Sequence, residues 1–246
     1  MNDKISFEEI IMDSYFSRTS LLLGEEALDK LSKKKIIIFG LGGVGGYCVE
    51  ALVRSGIKSF TLVDNDVVSS SNLNRQIIAT RKTIGRKKVE AMKERILEIN
   101  DEVEVKVLDK FALKDNIDEF NLESYDYVID AIDTISAKIA ICEKCDQNNI
   151  PLISSMGAGN KLNPSMFEVS DIYSTSVCPL AKVMRRELKK RGVKKLKVVY
   201  SKEEALTPKT IIKNEESGKI TPGSVSFIPS VVGLIIASEV IKDLIK

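Results

Sequence analysis

The sequence predicts an α/β protein: a doubly wound, mostly parallel sheet with helices on both faces, extended by C-terminal strands and helices. Three observations lead there. Short, continuous apolar runs bounded by turn residues have the character of strands buried on both faces. Through the first two-thirds of the chain these runs alternate with segments of helical apolar spacing, as βαβ units require. The first run leads directly into "FGLGGVGGYCVE", where Gly40, Gly42 and Gly45 stand in G-x-G-x-x-G spacing at the head of a helix. That context makes the core Rossmann-like, with Gly43 inside the same turn.

The elements follow in order. Ile10 to about Leu31 predicts a helix ahead of the sheet, and "KKKIIIFG" a buried strand. "YCVEALVRSG" has helical spacing and ends at Gly56, and "SFTLVD" is the next strand. "GRKKVEAMKERILEIN" predicts a helix, "VEVKVL" a half-exposed strand, and Asp115–Phe120 a weaker helix. "YDYVIDAID" is a buried strand with acids at its end, followed by the helix "SAKIAICEKCDQNN" and the strand "IPLISSMG". Beyond Gly157, "MFEVSDI" and "LKVVYS" predict strands flanking the basic helix "LAKVMRRELKKRG". Pro208–Gly223 reads as a loop, and an apolar tail helix closes the chain. One domain is expected: a helical segment over residues 1–32, a nucleotide-binding core over 33–157, and an extension of the same sheet over 158–246 on the substrate side.

Composition narrows the chemistry. The 246 residues are 43% hydrophobic and 29% charged, with a net charge of +2, as expected of a soluble globular protein. There is no histidine, which excludes Ser-His-Asp and Cys-His nucleophile systems and histidine-ligated metals. Carboxylates, Lys, Arg, Cys and backbone amides must carry any reaction. Four cysteines do not form the spacing of a secreted disulfide framework. The N-terminus lacks the character of a signal peptide, and the tail is interrupted by Pro229, Glu239, Lys242 and Asp243, too broken to span a bilayer. A cytoplasmic location without membrane contact is expected.

The glycine turn can admit phosphate to its amides and to a helix N-terminus. Asp64, at the end of the second strand, can accept from ribose hydroxyls. This fingerprint alone favours NAD, but the nearby cations favour a triphosphate, whose cleavage needs positive side chains where charge builds on the leaving group. Asn72, Arg75 and Gln76 follow the ribose strand in "SNLNRQ", Lys88 opens the next helix, and Arg18 is a further candidate. Asp66 lies beside Asp64 in the same acidic stretch. Asp130 and Asp133 bracket "DAID" at a strand end, where ligands bind in such sheets. Asp133 is the candidate for magnesium. Helix capping is the alternative for one of the pair, and Asp130 can be purely structural.

In order, "RTSLLLG", "GLGGVGG", "DNDVVSSSNLNRQ", "IGRKKVE" and "VIDAIDT" resemble the adenylating superfamily that includes ubiquitin-activating enzymes and the activators of the thiamin and molybdopterin sulfur carriers. The resemblance implies an ATP-dependent, ligase-type adenylating enzyme. It implies that Gly40, Gly42, Gly43 and Gly45 cradle ATP with Asp64 and Asp66, and that Asn72, Arg75, Gln76 and Lys88 contact phosphates. It assigns Asp133 to magnesium and the adenylate, and Arg18 to a finger reaching across a homodimer. The catalytic set is thus Arg75, Lys88, Asp133 and Arg18.

The last third selects among branches. The sulfur-carrier activators commonly hold zinc with two CxxC pairs, and this chain has one, Cys142 and Cys145 in "CEKC". Two thiols do not complete a four-thiolate site, so they read as helix residues, with a redox or metal role as the alternative. "CPLAKVMRRELKKRG", "KVVYSKEEAL" and "PGSVSFIPSVVGLIIASEVIKDLI" instead resemble the tRNA threonylcarbamoyladenosine dehydratases. That family often has Asp-Pro-Leu where this chain has Cys178-Pro179-Leu180, which argues against Cys178 as an obligatory nucleophile. The implied reaction adenylates the free carboxylate of threonylcarbamoyladenosine in tRNA, then closes a ring with net loss of water.

The cluster Lys182, Arg185, Arg186, Lys189 and Lys190, with Glu187 as the only opposing charge in the segment, is the candidate tRNA contact. The resemblance also places a monovalent cation and a sulfur-transfer partner, a cysteine desulfurase or its acceptor protein, among the expectations. The main competing reading is an activator of a ubiquitin-like sulfur carrier. An NAD-dependent oxidoreductase or redox sensor, and a non-catalytic nucleotide scaffold, account for fewer of the residues.

Overall fold

The computed structural model describes residues 15–212 and 220–246. Strand β1 (Lys35–Phe39) is buried from its second residue onward. It pairs in parallel with β2 (Ser59–Val63) on one side and β4 (Tyr127–Asp130) on the other. Next to β2 lies β3 (Glu104–Leu108), and next to β4 lies β5 (Leu152–Ser155), both parallel. The chain therefore builds outward in opposite directions from β1, leaving a crevice beyond the carboxyl ends of β1 and β4. The later strands β6 (Phe167–Asp171) and β7 (Lys197–Ser201) join the same sheet, β7 parallel to β5 and β6 antiparallel to β7. The order is β3-β2-β1-β4-β5-β7-β6.

Strand periodicity sorts β1 between two apolar layers. Ile36 and Ile38 face the layer built by helices α3 (Gly45–Val53), α4 (Lys88–Ile99) and α7 (Phe227–Ile245). Ile37 and Phe39 face the opposite layer, which includes Ala137, Ala140 and Ile141 of α5 (Ile135–Gln147). Phe39 meets Phe120 of the short 3-10 helix Lys114–Phe120 edge-on, with ring centres 5.1 Å apart. Each such fully buried side chain contributes about 1.5–3 kcal/mol through loss of apolar surface from water. In α7, Ile228, Val232, Ile236 and Val240 are buried at four-residue spacing, which accounts for its apolar character. Among the described residues no helix is long and apolar enough to cross a membrane.

Two predicted helices differ in the structure. The predicted helix from Ile10 is, over the described residues, two helices, α1 (Ser17–Leu23) and α2 (Glu25–Ser32); residues 10–14 lie outside the described set. The break is Gly24, whose φ of +84° is incompatible with a continuing right-handed helix. The helix predicted from Gly85 begins at Lys88. An isolated bridge between Val67 and Lys87 and the bond from Lys88 N–H to the Asp66 carbonyl hold the lead-in extended. That difference fixes Lys88 at the first helical position. In the predicted loop Pro208–Gly223, the described residues form neither helix nor named strand.

At the opposite end of the sheet from the crevice, Asp243 ties α7 to the strands. It accepts from Lys197 at 2.6 Å and from the Tyr127 hydroxyl at 2.8 Å. Burial alone would raise its pKa, but hydrogen bonds from Lys197, Lys246 and Tyr127 win and hold it at about 2. A carboxylate lowered on folding stabilises above its unfolded pKa, and the contribution is lost as pH falls through the folded one. Asp243→Asn should therefore lower the melting temperature by about 2–4 °C at pH 7, in line with about 1 kcal/mol for a chain of this size. The gap to wild type should close between about pH 4 and pH 2, measured by thermal unfolding across that range.

Candidate functional site

The crevice beyond β1 and β4 opens into a cleft of about 500 Å³. Its floor is the glycine turn. Gly40 has a φ of +89°, and a Cβ there would lie 2.8 Å from the Ala131 carbonyl oxygen. A Cβ on Gly45 would lie 1.8 Å from the Gly40 carbonyl oxygen, so the first turn of α3 rests directly on the end of β1. The free amides and positive end of that helix consequently point where an anion can approach.

Around this floor the structure gathers Gly40, Gly42, Gly43, Asp64, Asp66, Asn72, Arg75, Gln76, Lys88 and Asp133 on one cleft wall or another. Gly45 is the exception among the predicted nucleotide residues. It supports the turn from behind, because its missing side chain is what allows helix and strand to touch.

Local bonds fix these groups. Asp64 accepts from the Leu41 N–H at 2.7 Å and from the Asp66 N–H at 2.8 Å, which ties the second strand to the glycine turn. Lys88 is only 5% exposed and meets Asp66 at 2.7 Å. Asn72 is buried and accepts from the Ser69 N–H at 3.0 Å, ordering the turn that leads to Arg75. Arg75 donates to the Ser71 carbonyl at 3.0 Å and to Asn74 at 2.9 Å. Asn74 in turn donates to the Ser224 carbonyl at 3.0 Å, joining this segment to the far lip of the cleft. Gln76 is buried, and its Nε2 faces Gly42 at 3.9 Å from the position a Cβ would occupy.

The two strand-end aspartates separate. Asp133 lines the cleft, whereas Asp130 is buried beneath it. Neither caps α5, which has no side-chain cap bond. Among the described residues, the Asp133 carboxylate has only a long contact of 3.5 Å from Thr134. One carboxylate open to a cleft that can receive phosphate oxygens matches how magnesium is usually held, by one or two carboxylates, substrate phosphates and water.

Arg18 sits exposed on α1 and does not line the cleft of its own chain. The basic cluster lies on α6 (Pro179–Lys190), whose apolar face buries Ala181, Met184 and Leu188. Its cationic face is less open than the sequence suggests. Arg185 turns inward and donates to the Thr175 carbonyl at 2.9 Å. Glu187 collects Arg186, Lys190 and Arg191, bonds that hold its carboxyl at about 2. Helical spacing brings Lys190 and Arg191 within reach and Arg186 is the adjacent residue, so three cations share one acid. Arg186 and Lys190 stay exposed in these pairs, and Lys182 and Lys189 are the exposed cations of the helix with no ion-pair partner among the described residues.

The cysteines are buried and free. Burial pushes the Cys145 thiol up to about 12 and that of Cys142 higher still, which suppresses the reactive thiolate. Cys178 is also buried, just ahead of α6, at 3.8 Å from where a Gly157 Cβ would stand.

Several lining groups escape the sequence reading. Lys110 and Phe111 come from the chain after β3, and Pro222, Ser224 and Pro229 from the C-terminal third. The first two sit in an irregular stretch with no periodic signal. The others reach the cleft through contacts far along the chain, such as that of Asn74 with Ser224.

A model of the ThiF family matches residues 16–246. The tRNA threonylcarbamoyladenosine dehydratase of Bacillus subtilis is 42% identical over 240 residues, which cover 94% of each chain. The enzyme of the same name from Escherichia coli is 42% identical over 183 residues, covering 73% of this chain and 68% of that one. A crystal structure of the E. coli tRNA N6-threonylcarbamoyladenosine dehydratase with AMP superposes with a TM-score of 0.86 at 35% identity, over 98% of this chain and 96% of the other. Its counterpart with ATP gives 0.85 with the same coverage.

Proposed function

The chain belongs to the ThiF family, and from that membership we propose that it is an adenylating enzyme that uses ATP to dehydrate threonylcarbamoyladenosine in tRNA to a cyclised form. The observation that carries this reading is the convergence of the glycine turn, Asp64, Arg75, Lys88 and Asp133 on one cleft.

A free carboxylate does not expel hydroxide at neutral pH. In the proposed first step its oxygen attacks the α-phosphorus of ATP and pyrophosphate departs. The amides of the glycine turn and the N-terminus of α3 hold phosphate, and Asp64 accepts from ribose hydroxyls. Asn72, Arg75, Gln76 and Lys88 surround the triphosphate, with Arg75 and Lys88 stabilising the charge that grows on the leaving group. Asp133 would hold magnesium, which supplies Lewis-acid polarisation of phosphate oxygens when bound. In the second step the carbamoyl group of the same side chain attacks the acyl carbon. AMP leaves with one carboxylate oxygen and a proton is released, so the net change is loss of water. Because the attacking group is tethered beside its target, no enzyme nucleophile is needed, in keeping with buried thiols and the lack of histidine.

The protein acts as one adenylating unit in a homodimer, with Arg18 of the partner subunit completing the cationic set. The exposed α1 position of Arg18, outside its own cleft, supports this role. We assign the enzyme to the cytoplasm. Its tRNA contact is the exposed part of α6. Lys182→Ala/Lys189→Ala should weaken tRNA binding and reduce the slope of log affinity against log salt by about 2, one for each phosphate no longer neutralised. Filter binding from low to physiological salt checks this, and an unchanged slope would remove α6 from the interface.

The reading as a whole is tested by pyrophosphate release from ATP with three additions: tRNA carrying threonylcarbamoyladenosine, the same tRNA unmodified, and a ubiquitin-like sulfur carrier. Release with the modified tRNA alone is expected. Release with the carrier alone would make the protein a carrier activator instead.

A further inference from the structure

Beneath the cleft lies a charge cluster that the adenylation scheme does not use. Lys138, in the first turn of α5, is 0% exposed, and Asp130, the last residue of β4, is 1% exposed. Lys138 Nζ meets Asp130 Oδ2 at 2.8 Å, and Ser154 of β5 donates to the same oxygen at 2.5 Å. Lys138 also reaches the Ser154 hydroxyl at 3.2 Å. The other carboxylate oxygen accepts the Ile132 N–H at 3.3 Å.

Stability is not by itself a reason for this arrangement, because a well-packed apolar pair often serves as well as a buried ion pair. The location is also unfavourable for a cation, since the positive end of the α5 dipole lies there. What the cluster joins is more informative. It links the ends of β4 and β5 and the start of α5 at one point. Immediately after Asp130 come Ala131, Ile132 and Asp133, all on the cleft wall. The Ala131 N–H donates to the Phe39 carbonyl at 2.8 Å, and its own carbonyl oxygen occupies the space beside Gly40 that a Cβ would fill. The turn is thus pressed against the glycine loop on one side and anchored by Asp130 on the other.

We infer that Lys138 is a positioning residue: acting through Asp130 and Ser154, it fixes the Ala131–Asp133 turn and hence the place of the Asp133 carboxylate relative to the glycine turn. The inference rests on the adenylation reading, in which that carboxylate works beside the phosphates.

The deciding variant is Asp130→Leu/Lys138→Met, which removes both charges together and leaves no orphaned ion. Leucine keeps the branched shape of aspartate but has no acceptor, so the Ile132 N–H loses its partner and the turn loses its anchor. Thermal unfolding should give a melting temperature within a few degrees of wild type. In pyrophosphate release with modified tRNA, kcat should fall at least tenfold while KM for ATP changes less than threefold. Lys138→Arg, which keeps the charge, should retain kcat within about threefold.

A folded double variant with kcat within twofold of wild type would overturn the assignment. So would a fall in kcat matched by an equal rise in KM, since that reports general damage to the cleft. Should the double variant not fold, Ser154→Ala removes the two bonds of its hydroxyl while leaving Lys138 and Asp130 paired, so no charge is stranded. A threefold or greater loss of kcat at unchanged KM is then expected, and no loss overturns the proposal. Failure of the adenylation reading shows separately, as wild-type protein that releases no pyrophosphate with modified tRNA.

Discussion

Lys88→Met is expected to slow pyrophosphate release roughly 10²–10³-fold, the usual cost of removing one preorganised group from developing charge. Lys88 is 5% exposed, so its ammonium acts where water screens it little. Its position is set by the backbone: the Val67–Lys87 bridge and the bond from Lys88 N–H to the Asp66 carbonyl place it at the head of α4. The fold should survive the change. Asp66, its ion-pair partner, has a side chain 62% exposed and is rehydrated when the lysine is replaced. Arg75→Ala should have an effect of similar size, because its guanidinium is oriented by Ser71 and Asn74 at the cleft edge. KM for ATP should change much less than kcat if these cations act chiefly on the departing pyrophosphate. Single-turnover pyrophosphate release together with thermal unfolding checks both points. Near-normal turnover in a folded Lys88→Met protein would take Lys88 out of the reaction.

Gly45→Ala should destroy nucleotide binding and destabilise the protein together. The added Cβ would lie 1.8 Å from the Gly40 carbonyl oxygen and 2.9 Å from its carbonyl carbon. Both are backbone atoms of the turn itself, so no side chain can swing aside. Helix α3 must back away from β1, which carries its N-terminal amides out of register with the cleft. Overpacking of this kind costs about 1–3 kcal/mol, occasionally more, or a fall in melting temperature of roughly 2–12 °C for a chain of this length. Gly42→Ala is the control, because the nearest atom to its Cβ is Gln76 Nε2 at 3.9 Å. It should leave the melting temperature almost unchanged and affect ATP affinity alone. Calorimetric ATP titration and thermal unfolding separate the two. A Gly45→Ala protein with wild-type affinity would mean that the turn is not held by this contact.

Much of the core was legible because its signals are local. Continuous apolar runs mark strands covered on both faces, and β1 is buried as its "KIIIF" suggests. The cleft residues were legible where backbone chemistry demands a particular type, as at Gly40 or at the strand end of Asp64. Where the reading missed, the cause was a contact between distant parts of the chain. The helix read from Gly85 starts only at Lys88 because Val67 pairs with Lys87. The basic face of α6 gives up Arg185 to Thr175 and shares Glu187 among three cations. Lys138 carries no distinguishing signal in its local sequence, yet it is wholly enclosed because β4 and β5 bring Asp130 and Ser154 against it.

The α/β alternation, the nucleotide turn and the residue types around it are all written in the amino-acid order, since hydrophobic periodicity and glycine stereochemistry act over a few residues. Composition likewise limits the chemistry to carboxylates, amines and guanidinium groups. Which charges face the cleft, which are neutralised and which are buried under it emerges only when the chain is folded. Those outcomes depend on desolvation and on partners as far apart in sequence as Asn74 and Ser224, and no local pattern encodes them.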